Sequence, residues 1–359
     1  MNTINKWLVD KPLIVLFSFW ILTQSILFFI VGVEFGFEGD KYIEDAYLFI
    51  NHNAINTDRL FYSVYSLLIA ISIKIGIGLW AVIVFQLFLN AFATFVFFKL
   101  TKLLFQNSIT PIITSLLFVL IVQIQQWNFF LFTESVFISI TVLLYYVVAK
   151  FDKDKSLDYI KFSSILLLLA FIRPSGLFYT VPAIVFFIGS GFSKHLSTKI
   201  LIPVFAISLI IVANLIYNQG NFAFHYGLAD AKRWIIGGYD MPSTHSESAG
   251  DIIILYFMRI VYYFSNWRPF FSLSHNLFIL FSLLPIYVLA IIAMLNFYGS
   301  KHRIKTFALI TIAVFTAFAM LTFVNWHGRF LAVILPAIII LAGYGVDAIV
   351  ARRNKETMP

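Results

Sequence analysis

Repeated apolar runs of near-bilayer length are what most restrict the folds open to this 359-residue chain. They fall at about 12–33, 79–98, 110–126, 130–149, 160–172, 174–191, 200–217, 277–298, 306–324 and 330–350, and the one ending just before Arg173 is short. A helix crossing the ~30 Å hydrocarbon core needs about 20 predominantly apolar residues, and only helices or closed barrels satisfy their backbone groups there. Charged residues make up 12% of the chain and the mean hydropathy is +0.91. Soluble domains carry about 25% charged residues, so a soluble globule is excluded. The sequence predicts an all-α polytopic membrane protein, a single membrane-embedded domain over 1–359 with about ten transmembrane helices. Its first run is too long for a signal h-region and lacks a small-residue cleavage site, so it reads as an uncleaved signal anchor. There is no cysteine, which excludes disulfides and thiol chemistry.

Two further apolar stretches, 60–78 with Lys74 and two glycines and 252–264 with Arg259, are short or interrupted, as helices lying on a membrane surface are. Basic residues near helix ends favour the cytoplasm. If ten helices span and these two stretches lie outside, the cytoplasmic side receives Lys6, Lys11, Lys99, Lys102, Lys150, Lys153, Lys155, Lys161, Lys194, Lys199, Lys301, Arg303, Lys305, Arg352, Arg353 and Lys355, out of 25 basic residues in all. The expectation is a multi-pass protein of the plasma (inner) membrane with both termini cytoplasmic. The net charge of +8 then expresses orientation rather than affinity for nucleic acid. Two long outer loops follow, 34–78 and 218–276. Most of the acidic residues lie in them, and His52, His225, His245, His275 and His327 also fall on the outer side.

Chemistry is expected where carboxylates crowd an apolar chain. The stretch Glu34–Asp45 holds Glu34, Glu38, Asp40, Glu44 and Asp45 directly after the first run. Asp40 follows Gly39 and would lie near the membrane surface, where it either deprotonates or orients an acceptor hydroxyl or is a solvated loop acid with no chemical role. Over residues 42–55, Tyr42, Ala46, Phe49 and Asn53 form one helical stripe and Glu44, Asp45, Leu48 and His52 lie near another, the pattern of a short amphipathic helix, either flat on the bilayer over a cavity or a plain surface helix. Glu134 sits inside the end of an apolar run, where an ionisable group costs about 3 kcal/mol or more and finds a partner. That partner is a substrate hydroxyl, a cation or a neighbouring helix. Arg173-Pro174 breaks another run, and Arg173 there either binds a phosphate or snorkels to the interface. Arg329 is a second phosphate candidate, while Lys232 and Arg233 are as well suited to lipid headgroups. A divalent metal at His225, His245 and nearby acids is possible, although no pair has a recognised ligand spacing, and no other cofactor is implied.

Taken together, these pieces resemble the GT-C superfamily of integral-membrane glycosyltransferases, especially bacterial relatives of the protein mannosyltransferases and lipid A aminoarabinose transferases. The resembling segments are Gly39-Asp40-Lys41-Tyr42 with Ala46, Leu60-Phe-Tyr-Ser-Val-Tyr65, the Gln86–Phe105 helix, Thr133-Glu134-Ser135, Arg173-Pro-Ser-Gly176, and Gly328-Arg329-Phe330 through Pro336. The resemblance implies inverting transfer from a polyprenyl-phosphate sugar donor to a glycan, lipid or protein acceptor on the extracytoplasmic face. It implies Asp40 as catalytic base, with Tyr42, Asp45, Glu134, Arg173 and Arg329 binding substrate. Family members often carry an acidic pair at the first motif, whereas Lys41 follows Asp40 here, so a second acid would have to be Glu44 or Asp45. Glu34 and Glu38 are expected to be solvated loop residues. A transporter or flippase for a lipid-linked or anionic solute is the competing expectation, and a polysaccharide polymerase or ligase a third.

Overall fold

A computed structural model describes residues 10–190, 234–236, 239–240, 249–268, 271–295, 302–321 and 328–356. Apart from one short strand pair, the described chain is helical. The first helix, α1 (Pro12–Val31), begins on a proline, whose missing N–H costs nothing in a first turn, and stops at Gly32 with φ 71°. The amphipathic α2 (Glu38–His52) follows, ending at left-handed Asn53. A 3-10 turn at Thr57–Tyr62 leads into α3 (Ser63–Lys74). Next come α4 (Trp80–Leu104), α5 (Ile109–Leu120), the one-turn α6 (Val122–Gln125), α7 (Thr133–Lys150) and α8 (Ser156–Ile172). Pro174 opens a second 3-10 turn, Pro174–Tyr179, before α9 (Thr180–Ser190). Strands β1 (Trp234–Ile236) and β2 (Tyr239–Asp240) pair antiparallel, and α10 (Ala249–Ser265), α11 (Leu273–Leu295), α12 (His302–Leu321), α13 (Arg329–Ala332) and α14 (Leu335–Glu356) complete the described chain.

Among the described residues, six helices are long and apolar enough to cross a bilayer: α1, α4, α7, α11 and the bodies of α12 and α14. A seventh span results if the pair formed by Ile109–Leu120 and Val122–Phe129, bent by 58°, is counted as one. The chain is therefore an α-helical multi-pass membrane protein. Two further expected runs are shorter or divided, and a third cannot be compared. The 160–172 run forms the 17-residue α8, the 174–191 run divides between the 3-10 turn and α9, and 200–217 lies outside the described residues. The interrupted stretches at 60–78 and 252–264 become the 12-residue α3 and the 17-residue α10, both shorter than a typical span.

What positions the candidate site is a buried amide network at the bend before α7. Gln24 donates to Gln125 Oε1 (2.7 Å), Asn128 to Gln24 Oε1 (3.1 Å) and Ser135 to Asn128 Oδ1 (2.6 Å). Gln125 donates to the Phe118 carbonyl at 2.9 Å, satisfying one of the last carbonyls of α5, which would otherwise be orphaned at the break. Gln86 donates to the Asn128 and Phe130 carbonyls and accepts from the Tyr65 hydroxyl at 2.7 Å, so α4 grips both the bend and α3. Backbone bonds from Glu34 to Phe129 and from Leu131 to Glu34, each 2.9 Å, tie the same segment to the approach of α2. Because these groups are buried away from water, the bonds satisfy the polar groups that the broken helix frees.

Elsewhere the packing is close. A Cβ on Gly345 of α14 would lie 2.0 Å from the Leu289 carbonyl of α11, so the two backbones touch, as small residues permit between membrane helices. Gly345→Ala is expected to force α11 and α14 apart and destabilise the protein by about 1–3 kcal/mol, the usual cost of overpacking. Thermal unfolding in detergent measures this, and an unchanged midpoint would mean that the helices separate freely.

Candidate functional site

The site forms at the end of the bundle where α7 begins. Phe132 is extended (φ −126°, ψ 157°), and α7 starts abruptly at Thr133 with Glu134 in its first turn, where an acid suits the helix dipole. The Glu134 side chain is 0% exposed. Its Oε1 accepts from Arg173 Nη1 and from Arg329 Nε, both at 2.5 Å.

Each arginine is delivered by a backbone interruption. Pro174 disfavours helix at the residue before it, so Arg173 adopts φ −160° and ψ 139° and its side chain leaves the line of α8. Gly328, at φ 77°, turns the chain immediately before Arg329, and a Cβ there would meet the Asn266 side chain at 2.7 Å. Both arginines are buried, at 6% and 8% exposed. Their guanidinium carbons lie 5.0 Å from the Phe330 ring centre and 4.8 Å from that of Phe132 respectively, which shields them from water on those sides.

Helix α2 lies against this pair. Glu38 Oε2 meets Arg329 Nη1 at 2.6 Å and Lys41 Nζ at 3.1 Å. Lys41 in turn lies 5.0 Å from the Tyr42 ring centre and 4.9 Å from that of Tyr62. Burial would raise the Glu38 carboxyl, but Arg329 and Lys41 outweigh it and hold Glu38 below its ordinary value. Burial first, and then the Glu134 charge, push the Tyr42 phenol well above its ordinary value, so Tyr42 remains a hydrogen-bond donor at any working pH. Among the described residues, the buried Tyr42 Oη, Thr133 Oγ1, Glu134 Oε2 and Ser175 Oγ have no hydrogen-bond partner. Buried polar atoms are nearly always paired, and these four belong to Glu134, to its chain neighbour Thr133, to Ser175 two residues after Arg173, and to Tyr42 of α2; unpaired atoms also occur elsewhere among the described residues, as at Ser66, Thr94 and Ser139.

Of the residues singled out in the sequence, Tyr42, Glu134, Arg173 and Arg329 come together. Asp40 is exposed, about 160° around α2 from Tyr42 at 100° per residue. Asp45 is 7% exposed but is engaged elsewhere, accepting from Asn56 Nδ2 at 3.0 Å and facing Arg59 Nε at 3.4 Å. Arg59 also reaches Glu44 at 3.2 Å and the Lys41 carbonyl at 3.1 Å, which fastens α2 to the 3-10 turn that precedes α3. Glu38 is not the solvated loop residue expected: α2 begins at Glu38 itself, which puts its carboxylate on Arg329. Glu38, Tyr42 and Asp45 are spaced i, i+4, i+7, and that stripe was the available signal. His225, His245, Lys232 and Arg233 lie outside the described residues, among which no group of three or more His, Asp or Glu could hold a metal.

No family model and no curated protein matches the chain. What the site can do must come from its own chemistry. Three cations meet two carboxylates, leaving one net positive charge in a largely buried setting. Two guanidiniums presenting forked donors beside a phenol suit the oxygens of a phosphate.

Proposed function

We propose that the protein is an integral-membrane glycosyltransferase of GT-C type, moving a sugar from a polyprenyl-phosphate donor to an acceptor hydroxyl at the extracytoplasmic face. The observation that carries this reading is the buried Arg173 and Arg329 pair sharing one oxygen of Glu134. The wider reading includes ten spans, both termini cytoplasmic, the plasma membrane as location, and a glycan, lipid or protein acceptor.

The donor enters from the bilayer and its phosphate meets Arg173 and Arg329, with the Tyr42 phenol donating a further hydrogen bond. Bond breaking at the sugar leaves the electron pair on a phosphate oxygen, and fixed cations stabilise that charge as it develops. Glu134 holds the guanidiniums in place and is itself fixed by both. In an inverting displacement the acceptor attacks from the side opposite the leaving phosphate, so its base cannot sit on the phosphate side. Glu38, bound to Arg329, is on that side; the role of base falls to Asp40 in this reading on the resemblance of Gly39-Asp40-Lys41-Tyr42, not on its exposed position in α2. Asp45, through Arg59 and Asn56, holds α2 over the site.

The test is incubation of the purified protein with a panel of radiolabelled polyprenyl-phosphate sugars, counting label released to water or to candidate acceptors. Release from at least one donor is expected. Release from none, with movement of an intact lipid-linked or anionic solute across reconstituted vesicles, would replace transfer by transport.

A further inference from the structure

We propose that Glu38 is an internal placeholder for the anionic headgroup: its carboxylate occupies Arg329 in the resting protein and is displaced when a phosphate arrives. This rests on the anion-binding reading of the arginine pair and concerns how that pair is kept before a ligand reaches it.

The two carboxylates on Arg329 are not equivalent. Glu134 is 0% exposed and shared by two arginines, whereas the Glu38 side chain is 43% exposed and meets only Nη1. Glu38 opens α2 without a side-chain cap, after Phe37 at positive φ (58°, ψ −118°), which is itself 81% exposed, although the Gly36 and Phe37 carbonyls accept from Gly39 and Asp40 at 3.0 and 3.4 Å. A non-glycine residue held there is strained, and unwinding the first turn relieves the strain.

A second partner waits for the displaced group. Lys41, one turn along the same face, already contacts Glu38 Oε2 at 3.1 Å, so the carboxylate can leave Arg329 without losing its counter-charge. Once Glu38 and Lys41 neutralise each other, Arg173, Arg329 and Glu134 retain one positive charge, which matches the single negative charge of a phosphodiester. Until then, Glu38 keeps a buried guanidinium from facing the low-dielectric interior with half its charge unanswered.

The experiment measures calorimetric binding of farnesyl methyl phosphate, a phosphodiester, to the purified full chain in detergent, with farnesol as the uncharged control. Wild type, Glu38→Gln, Glu38→Ala, Arg329→Gln, Arg329→Lys and the double variant Glu38→Gln with Arg329→Gln are compared. A placeholder in position nine-tenths of the time lowers apparent affinity about tenfold, so Glu38→Gln and Glu38→Ala are expected to bind about tenfold tighter than wild type. Both Arg329 variants are expected to bind more weakly, and the Glu38 gain should vanish in the double variant. Equal or weaker binding by the Glu38 variants, with loss in the Arg329 variants, overturns the placeholder and leaves the anion site standing. A gain that persists without Arg329 also overturns it. Binding unchanged in the Arg329 variants overturns both readings.

Discussion

Glu134→Ala is expected to lower the unfolding free energy by about 3–5 kcal/mol, the cost of removing one partner from a fully buried charge pair. The loss is this large because one side chain serves two cations. Arg173 and Arg329 are each more than nine-tenths buried, and both donate to the same Glu134 oxygen. Without it, the guanidiniums face each other with Glu38 as the remaining carboxylate, and Glu38 touches only Arg329. Ring faces of Phe330 and Phe132 supply about 2 kcal/mol each at desolvated sites, less than the ionised partner they would have to replace. Native proteins are stable by about 5–15 kcal/mol, so the variant should unfold far earlier, in denaturant or on heating, than wild type. Glu134→Gln keeps the volume and an acceptor oxygen but not the charge, and should fall between the two. A loss below about 1 kcal/mol in the alanine variant would mean that the triad is held by its surroundings and not by its own charges.

Under the proposed glycosyltransferase reading with Asp40 as base, Asp40→Asn is expected to reduce sugar transfer by about 10²–10⁴-fold, the usual contribution of a general base, with no change in unfolding midpoint. The separation of the two readouts follows from placement. Asp40 is exposed on α2 and has no ion pair among the described residues, so an amide of the same shape removes basicity and little else. Asp45→Asn should do the opposite. It weakens the link through Arg59 and Asn56 that fastens α2, lowering stability while leaving most of the transfer rate. Parallel rate and unfolding measurements on the two variants test the assignment. Full transfer by Asp40→Asn would move the base elsewhere, and a rate loss confined to Asp45→Asn would assign it to Asp45.

Much of this was legible in the chain. Apolar runs at 12–33, 79–98, 130–149 and 277–298 became long helices because burial of backbone polar groups in lipid leaves few alternatives. The break at Pro174 was readable because proline acts locally, on the residue before it. Glu134 was legible as a charge too deep in an apolar run to lack a partner. Glu38 was not legible, because its environment depends on where α2 begins. In the fold, the first turn of α2 sets the Glu38 carboxylate against Arg329, which lies far away in the sequence.

The sequence by itself determined that the chain is helical and membrane-embedded, that Glu134 needs a partner, and that the acids cluster after the first helix, and it singled out Arg173 and Arg329 as phosphate candidates. Hydrophobic run length, proline geometry and the cost of burying charge act within a few residues, so they can be read along the chain. Only the tertiary structure decided who answers whom. Residues 134, 173 and 329 are far apart in sequence, and their meeting depends on how α7, α8 and α13 converge. It also separated Asp40 from Glu38, two residues apart, because the turn of a helix sends one side chain to the arginines and the other away from them.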